Sequence, residues 1–134
     1  MSGENIIHFD GDARGRLQNY VPFHKTHEVP SEGTVTRDKG WKTNRPHHLL
    51  SRLEYHFFYN LEWYPKVIDI REQYVLDVEE TIEIAKRLNV AHPAHNNKKK
   101  VRVISPMTTD FLVSVKKDIG VGEVARTVKY SQDL

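Results

Sequence analysis

Three polar residues stand where the surrounding pattern asks for something else, and together they have the makings of a metal-assisted phosphodiester chemistry. Glu54 lies four residues after Leu50, three before Phe57 and seven before Leu61, so at helical spacing it shares their apolar stripe. An ionised carboxylate in a core needs a compensating partner. Asp110 interrupts the strand-like run MTTDFLVSV, residues 107–115. Alternation puts Thr108, Asp110, Leu112 and Ser114 on one face, and Thr109, Phe111, Val113 and Val115 on the core face. Asp110 is thus a disfavoured residue in mid-strand, pointing away from the core. In EVARTVKY, residues 123–130, Thr127 and Lys129 alternate with Val128 and Tyr130. A hairpin turning near residues 118–119 pairs positions whose numbers sum to about 237 to 239, which sets Asp110 opposite Thr127 or Lys129 on one face. Two carboxylates and an ammonium so placed form a divalent-metal nuclease layout. Mg²⁺ takes oxygen ligands. It polarises a phosphodiester and acidifies a bound water, while a lysine stabilises developing phosphate charge. From spacing alone, a blander account is the simpler one: a carboxylate at the edge of a stripe, paired with Arg52 or His48, and a surface ion pair between Asp110 and Lys129.

The elements that must position these residues are partly legible. PHHLLSRLEYHFFYNLEW, residues 46–63, reads as one amphipathic helix with Pro46 in its first turn, Asn44 as cap and an end before Pro65. KVIDIREQYVLDV, residues 66–78, is β-branched and reads as a strand bent around Arg71 to Gln73. Asp77 and Glu80 resemble a capping box opening a helix over residues 78–90, with Val78, Ile82, Ala85 and Leu88 inward and Asn89 near its stop. Residues 91–100 read as a polar loop, and residues 101–105 and 107–115 as strands. Lys116 to Gly122 reads as a turn, followed by a last strand over residues 123–130.

Residues 1–45 read as an N-terminal arm rather than a domain, with turn signals at Asp10-Gly11-Asp12, Pro30-Ser31-Glu32-Gly33 and Asp38-Lys39-Gly40. Tyr20 to Phe23, Val29 and Trp41 are its expected anchors, and residues 46–134 form the core.

The 134 residues allow one domain with a modest core. Without cysteine, disulfides, thiolate nucleophiles and iron–sulfur clusters are excluded. No apolar run reaches the length of a membrane span, and no secretory signal pattern opens the chain. A net charge of +2 does not by itself argue for nucleic-acid binding. Eight histidines keep metal chemistry open, but His47, His48, His92 and His95 assemble no recognised zinc spacing. Dinucleotide-binding and P-loop glycine patterns are absent.

Five segments occur together in order: HHLLSRLE (47–54), LEW (61–63), VIDIREQ (67–73), IAKRLNVAHP (84–93) and MTTDFLV (107–113). They resemble the TnsA family, the endonuclease subunits of heteromeric cut-and-paste transposases, from about His24 to the C-terminus. The resemblance implies an α/β (α+β) fold of the restriction-endonuclease type, with helices flanking a mixed sheet, ending after the lysine strand without the further helix, strand and partner-binding domain of the family. One sheet face is then expected to be bare. The resemblance further implies catalytic Glu54, Asp110 and Lys129. Thr127 stands where the family has Gln, which leaves a hydroxyl, a water or the Val128 carbonyl to complete a metal shell around Glu54 and Asp110. It implies Mg²⁺, replaceable by Mn²⁺, and double-stranded transposon-end DNA as substrate. The implied setting is a bacterial or phage cytoplasm at the nucleoid, with an integrase-type transposase and an ATPase regulator as partners. A non-catalytic DNA-binding or assembly module with the same fold is the alternative. Lys98, Lys99, Lys100 and Arg102 form a basic loop suited to phosphates, and Arg71 is expected either to contact DNA or to brace Glu72.

Overall fold

A computed structural model of the chain describes residues 15–23 and 36–133. In chain order its elements are β1 (Thr36–Lys39), β2 (Pro46–Leu49), α1 (Arg52–Trp63), β3 (Val67–Val75), α2 (Val78–Leu88), β4 (Ala94–Asn96), β5 (Arg102–Ile104), β6 (Thr108–Lys116) and β7 (Val121–Arg126). The turn signals at Asp10-Gly11-Asp12 and Pro30-Ser31-Glu32-Gly33, and the anchor Val29, lie outside the described residues. The chain divides into two compact units, Val75–Thr108 and Arg14–Tyr74 with Thr109–Leu134. No helix among the described residues is long and apolar enough to cross a membrane.

In the second unit, the segment from Pro46 splits where a single helix is expected. Pro46–Leu49 is a strand paired antiparallel with β1, Lys39 opposite Pro46 and Thr36 opposite Leu49. His47 and Leu49 are buried while Pro46 is exposed, which is strand periodicity. Asn44 therefore caps no helix. It sits in the turn between the strands at φ 56°, donating its N–H to the Gly40 carbonyl. A Cβ on Gly40 would stand 2.7 Å from the His47 ring, so that turn requires glycine. The helix cap is Ser51, whose side chain accepts the Glu54 N–H at 3.0 Å. Ser51-Arg52-Leu53-Glu54 is the capping signal that wins over Pro46, and α1 ends at Trp63.

α1 packs on a sheet of order β3-β6-β7. Antiparallel pairing of β6 with β7 sets Phe111 opposite Arg126 and Lys116 opposite Val121. Lys116, the last residue of β6, donates its N–H to the carbonyl of Lys66, just ahead of β3. The core is Leu49, Phe58, Val67, Ile70, Phe111 and Val113, flanked by Tyr55, Phe57, Leu61, Val115 and Val128. Phe57 and Phe111 meet with ring centroids 5.4 Å apart. The opposite face of β6 is covered as well: Leu112 and Ser114 are buried. The last strand is shorter than its alternation implies, ending at Arg126.

The anchoring role of Tyr20 holds. It is buried, and its hydroxyl donates to the Glu72 carbonyl at 2.8 Å. Trp41 is not an anchor; it stays largely exposed against Trp63.

In the unit Val75–Thr108, Asp77 caps α2 by accepting the Glu80 N–H at 2.9 Å, and Asn89 ends it in the left-handed conformation at φ 54°. Val78 and Ala85 are buried, but Leu88 is 67% exposed and does not face inward. The expected polar loop carries a hairpin, with β4 paired antiparallel to β5.

Candidate active site

Glu54 is placed by two local devices. It is the third residue of α1, and the helix start fixes its backbone. Its side chain then turns back so that Oε2 accepts the Leu50 N–H at 3.0 Å. A third group comes from β3. Gln73 adopts φ 47° inside a strand, a left-handed conformation costly for a residue with a Cβ. It bulges β3 there, and its carbonyl is held by the Phe23 N–H at 3.1 Å and the Tyr20 hydroxyl at 3.3 Å. Its side-chain amide donates to Glu54 Oε2 at 3.4 Å. Both donors to Glu54 thus hold one oxygen, Oε2.

Asp110 is held in a matching way. The β6–β7 ladder stops at Phe111 and Arg126. Beyond it Thr109 Oγ1 donates to the Arg126 carbonyl at 3.2 Å, and Asp110 Oδ2 accepts the Val128 N–H at 2.9 Å. The carboxylate takes over a bond that a strand partner would have made. Continuing the register sets Asp110 opposite Thr127, one of the two alternatives the sequence left open.

The two carboxylates sense each other. Glu54 is only 8% exposed. Burial pushes its carboxyl up to about 7, with further push from the charges of Asp110 and Glu72, while the Leu50 N–H and Gln73 pull it down. A buried acid that feels the charge of a second acid is a perturbed group of the kind that functional sites gather. The described residues hold no group of three or more His, Asp or Glu that could form a metal cage. A carboxylate pair with water and phosphate is the donor set Mg²⁺ commonly takes.

The segment after β7 is less engaged. Val128 is half-buried and packs against the core, while Thr127, Lys129 and also Tyr130, expected to point with Val128, are exposed beyond the end of β7. The Val128 group seen in contact with the site is its N–H on Asp110.

Arg71, expected either to contact DNA or to brace Glu72, has no exposed surface to offer to DNA. It is fully buried, with its guanidinium on Glu123 and 5.0 Å above the Tyr74 ring. Glu72 is gripped by Arg45 at 2.6 and 3.0 Å, by the His48 N–H at 2.7 Å and by His47 at 3.2 Å. Burial alone would raise the Glu72 carboxyl; His47 and Arg45 outweigh it and hold it down at about 2. This buried cluster ties the β1–β2 hairpin to β3 beside the bulge. Lys98, Lys99 and Lys100 are exposed at the tip of the β4–β5 hairpin, where Asn97 Oδ1 accepts the Lys99 and Val101 N–H groups at 2.9 and 3.0 Å. Arg102 is exposed on β5.

Sequence reasoning missed Gln73 and Ser51. The serine had a signal in the S-x-x-E spacing. The glutamine had only its place in an expected bend.

A family model described as "TnsA-like endonuclease N terminal" matches residues 64–134. Over 107 residues the chain is 41% identical to the transposon Tn7 transposition protein TnsA of Escherichia coli. The match covers 80% of this chain and 37% of that relative, so the chain spans well under half of the relative's length. With the matched region taking in β3, β6 and Asp110, the chain belongs to the TnsA-like endonuclease N-terminal family.

Proposed function

We propose that this chain is the Mg²⁺-dependent endonuclease subunit of a heteromeric transposase, cleaving the 5′ ends of a transposon while an integrase-type transposase handles the 3′ ends. The observation that carries the reading is the buried carboxyl of Glu54 on α1, raised by burial and in part by the charge of Asp110 on β6, with each carboxylate steadied through one oxygen. Family membership and the likeness to a transposition protein support the DNA substrate and the transposase partner. An ATPase regulator and a bacterial or phage cytoplasm belong to the same proposal.

Glu54 and Asp110 would hold Mg²⁺, or Mn²⁺ in its place, through Oε1 and Oδ1, the oxygens opposite those that accept the Leu50, Gln73 and Val128 donors. The bound ion supplies Lewis-acid polarisation of the phosphodiester and a water of lowered pKa. Gln73 and the Leu50 N–H orient Glu54. The Val128 N–H orients Asp110, and the Val128 carbonyl is the backbone candidate for a further ligand. Lys129 donates to the phosphate as its charge develops, and has no lone pair with which to be a ligand itself. Thr127, shorter than the family's Gln, takes part through a water. Lys98, Lys99, Lys100 and Arg102 grip the phosphate backbone.

The test is plasmid nicking with Mg²⁺ and with Mn²⁺, alone and with the partner transposase, beside calorimetric metal titration. Cleavage in the assembly and its loss in Asp110→Ala support the reading. No metal binding, with Asp110→Ala matching the parent in the full assembly, leaves a DNA-binding or assembly module with a nuclease fold.

A further inference from the structure

Both tryptophans of the chain meet away from the carboxylate pair. Trp41, in the turn after β1, and Trp63, the last residue of α1, have ring centroids 5.4 Å apart at 55°. They remain 63% and 67% exposed. Together with Lys39, Tyr55, Tyr59 and Glu62 they line a groove of about 400 Å³. Exposed indoles are costly unless something covers them.

Glu62 is the unusual member. Its place on α1 among aromatic rings leaves it 6% exposed. Oε2 accepts the backbone N–H of Trp41 at 2.9 Å, but Oε1 is buried with no hydrogen-bond partner among the described residues. A buried carboxylate oxygen calls for a donor, and none of the described residues supplies one. The neighbouring ring faces carry negative quadrupole charge, which also attracts a cation.

We infer that this groove receives an arginine side chain from a protein partner, its guanidinium against the Trp41 and Trp63 rings and an N–H donated to Glu62 Oε1. Guanidinium fits better than ammonium because it is planar, weakly hydrated and able to stack while donating in its plane. A nucleic-acid strand fits worse: its phosphates would approach the Glu62 carboxylate. Lys39 opposes a cationic guest and favours an anionic one, so its removal separates the two kinds of partner. The groove shares no residue with the carboxylate site, so the inference stands or falls apart from the nuclease reading.

Tryptophan emission reports on this groove alone, since both indoles line it. The full chain is titrated with acetyl-Gly-Arg-Gly-amide, with its neutral citrulline isostere and with a thymidine oligonucleotide. The arginine peptide should change the emission saturably and bind roughly tenfold tighter than the citrulline peptide. Glu62→Gln, which keeps an acceptor for the Trp41 N–H, should remove most of that preference. Lys39→Ala should tighten arginine binding. Trp63→Leu, at an exposed position, should weaken it with Trp41 still reporting, and it serves if Glu62→Gln fails to fold by circular dichroism. Equal binding of the citrulline peptide, no saturable change, or arginine binding weakened by Lys39→Ala would overturn the inference. Oligonucleotide binding that strengthens in Glu62→Gln would reassign the groove to nucleic acid.

Discussion

At the scale of single residues, the segment Thr127-Val128-Lys129 makes the sharpest demands. Lys129 is exposed, and in the proposed function it offers charge to the phosphate without being a metal ligand. Lys129→Ala should therefore leave calorimetric metal binding intact while lowering the cleavage rate by about 10²–10³. Metal affinity falling together with rate would show that the lysine shapes the site instead. Val128 packs on the core, whereas Thr127 faces out. Val128→Gln should cost about 1–3 kcal/mol in urea unfolding, the price of an amide without a partner. Thr127→Gln should leave the unfolding midpoint in place and raise metal affinity or rate by restoring the longer side chain. Stability moving the other way, lost in Thr127→Gln and kept in Val128→Gln, would put the strand one residue out of register.

At the scale of elements, the start of α1 and the bulge in β3 both aim at Glu54. Ser51 accepts the Glu54 N–H, and Gln73 reaches Glu54 Oε2 from the bulge. Ser51→Ala should destabilise the protein by about 1 kcal/mol in urea. It should also cost activity beyond that loss, because the N–H that Ser51 holds and the carboxylate both belong to Glu54. Unchanged cleavage by a destabilised Ser51→Ala would mean that Leu50 and Gln73 suffice to hold the side chain. Tyr20 and Phe23 bond the Gln73 carbonyl from a segment about fifty residues earlier, so the bulge is braced from outside its own strand.

At the scale of the molecule, two buried acids pull stability in opposite directions with pH. Glu54 is raised from 4.5 to about 7. Across that window the folded metal-free protein holds a proton the unfolded chain has released, so Glu54's contribution falls as pH rises. Glu72 is lowered from 4.5 to about 2. Its contribution is complete above the ordinary carboxylate value and is lost as pH falls towards 2. These two groups together place the stability maximum of the metal-free protein near pH ~5. Urea midpoints measured from pH 3 to 8 should rise and then fall about that point (roughly the ordinary carboxylate value). Glu54→Gln should flatten the neutral limb alone. A parent curve that climbs steadily from pH 5 to 8 would contradict the burial of Glu54. Mg²⁺ needs the ionised form, so its affinity should drop as pH falls through about 7.

What the amino-acid sequence determined by itself is whatever acts over a few residues or one period. Strand alternation separates Asp110 from Phe111, because successive side chains leave a strand on opposite faces. The Asp77 cap and the Asn89 stop of α2 follow from hydrogen bonds within one turn. The motif words anticipated the family; helical spacing anticipated that Glu54 is buried, although Leu50 lies ahead of α1 and the buried positions of the helix are Glu54, Phe58 and Glu62. Tertiary structure determined the rest. His-His-Leu-Leu fits a helix or a strand by period, and pairing with β1 makes it a strand. Arg71 and Glu123 lie 52 residues apart, and only the folded sheet brings the buried guanidinium onto that carboxylate. Gln73 reaches Glu54 because distant backbone groups stabilise a left-handed residue inside β3. No local propensity encodes that conformation, since its energy is recovered only through contacts that exist once the chain has folded.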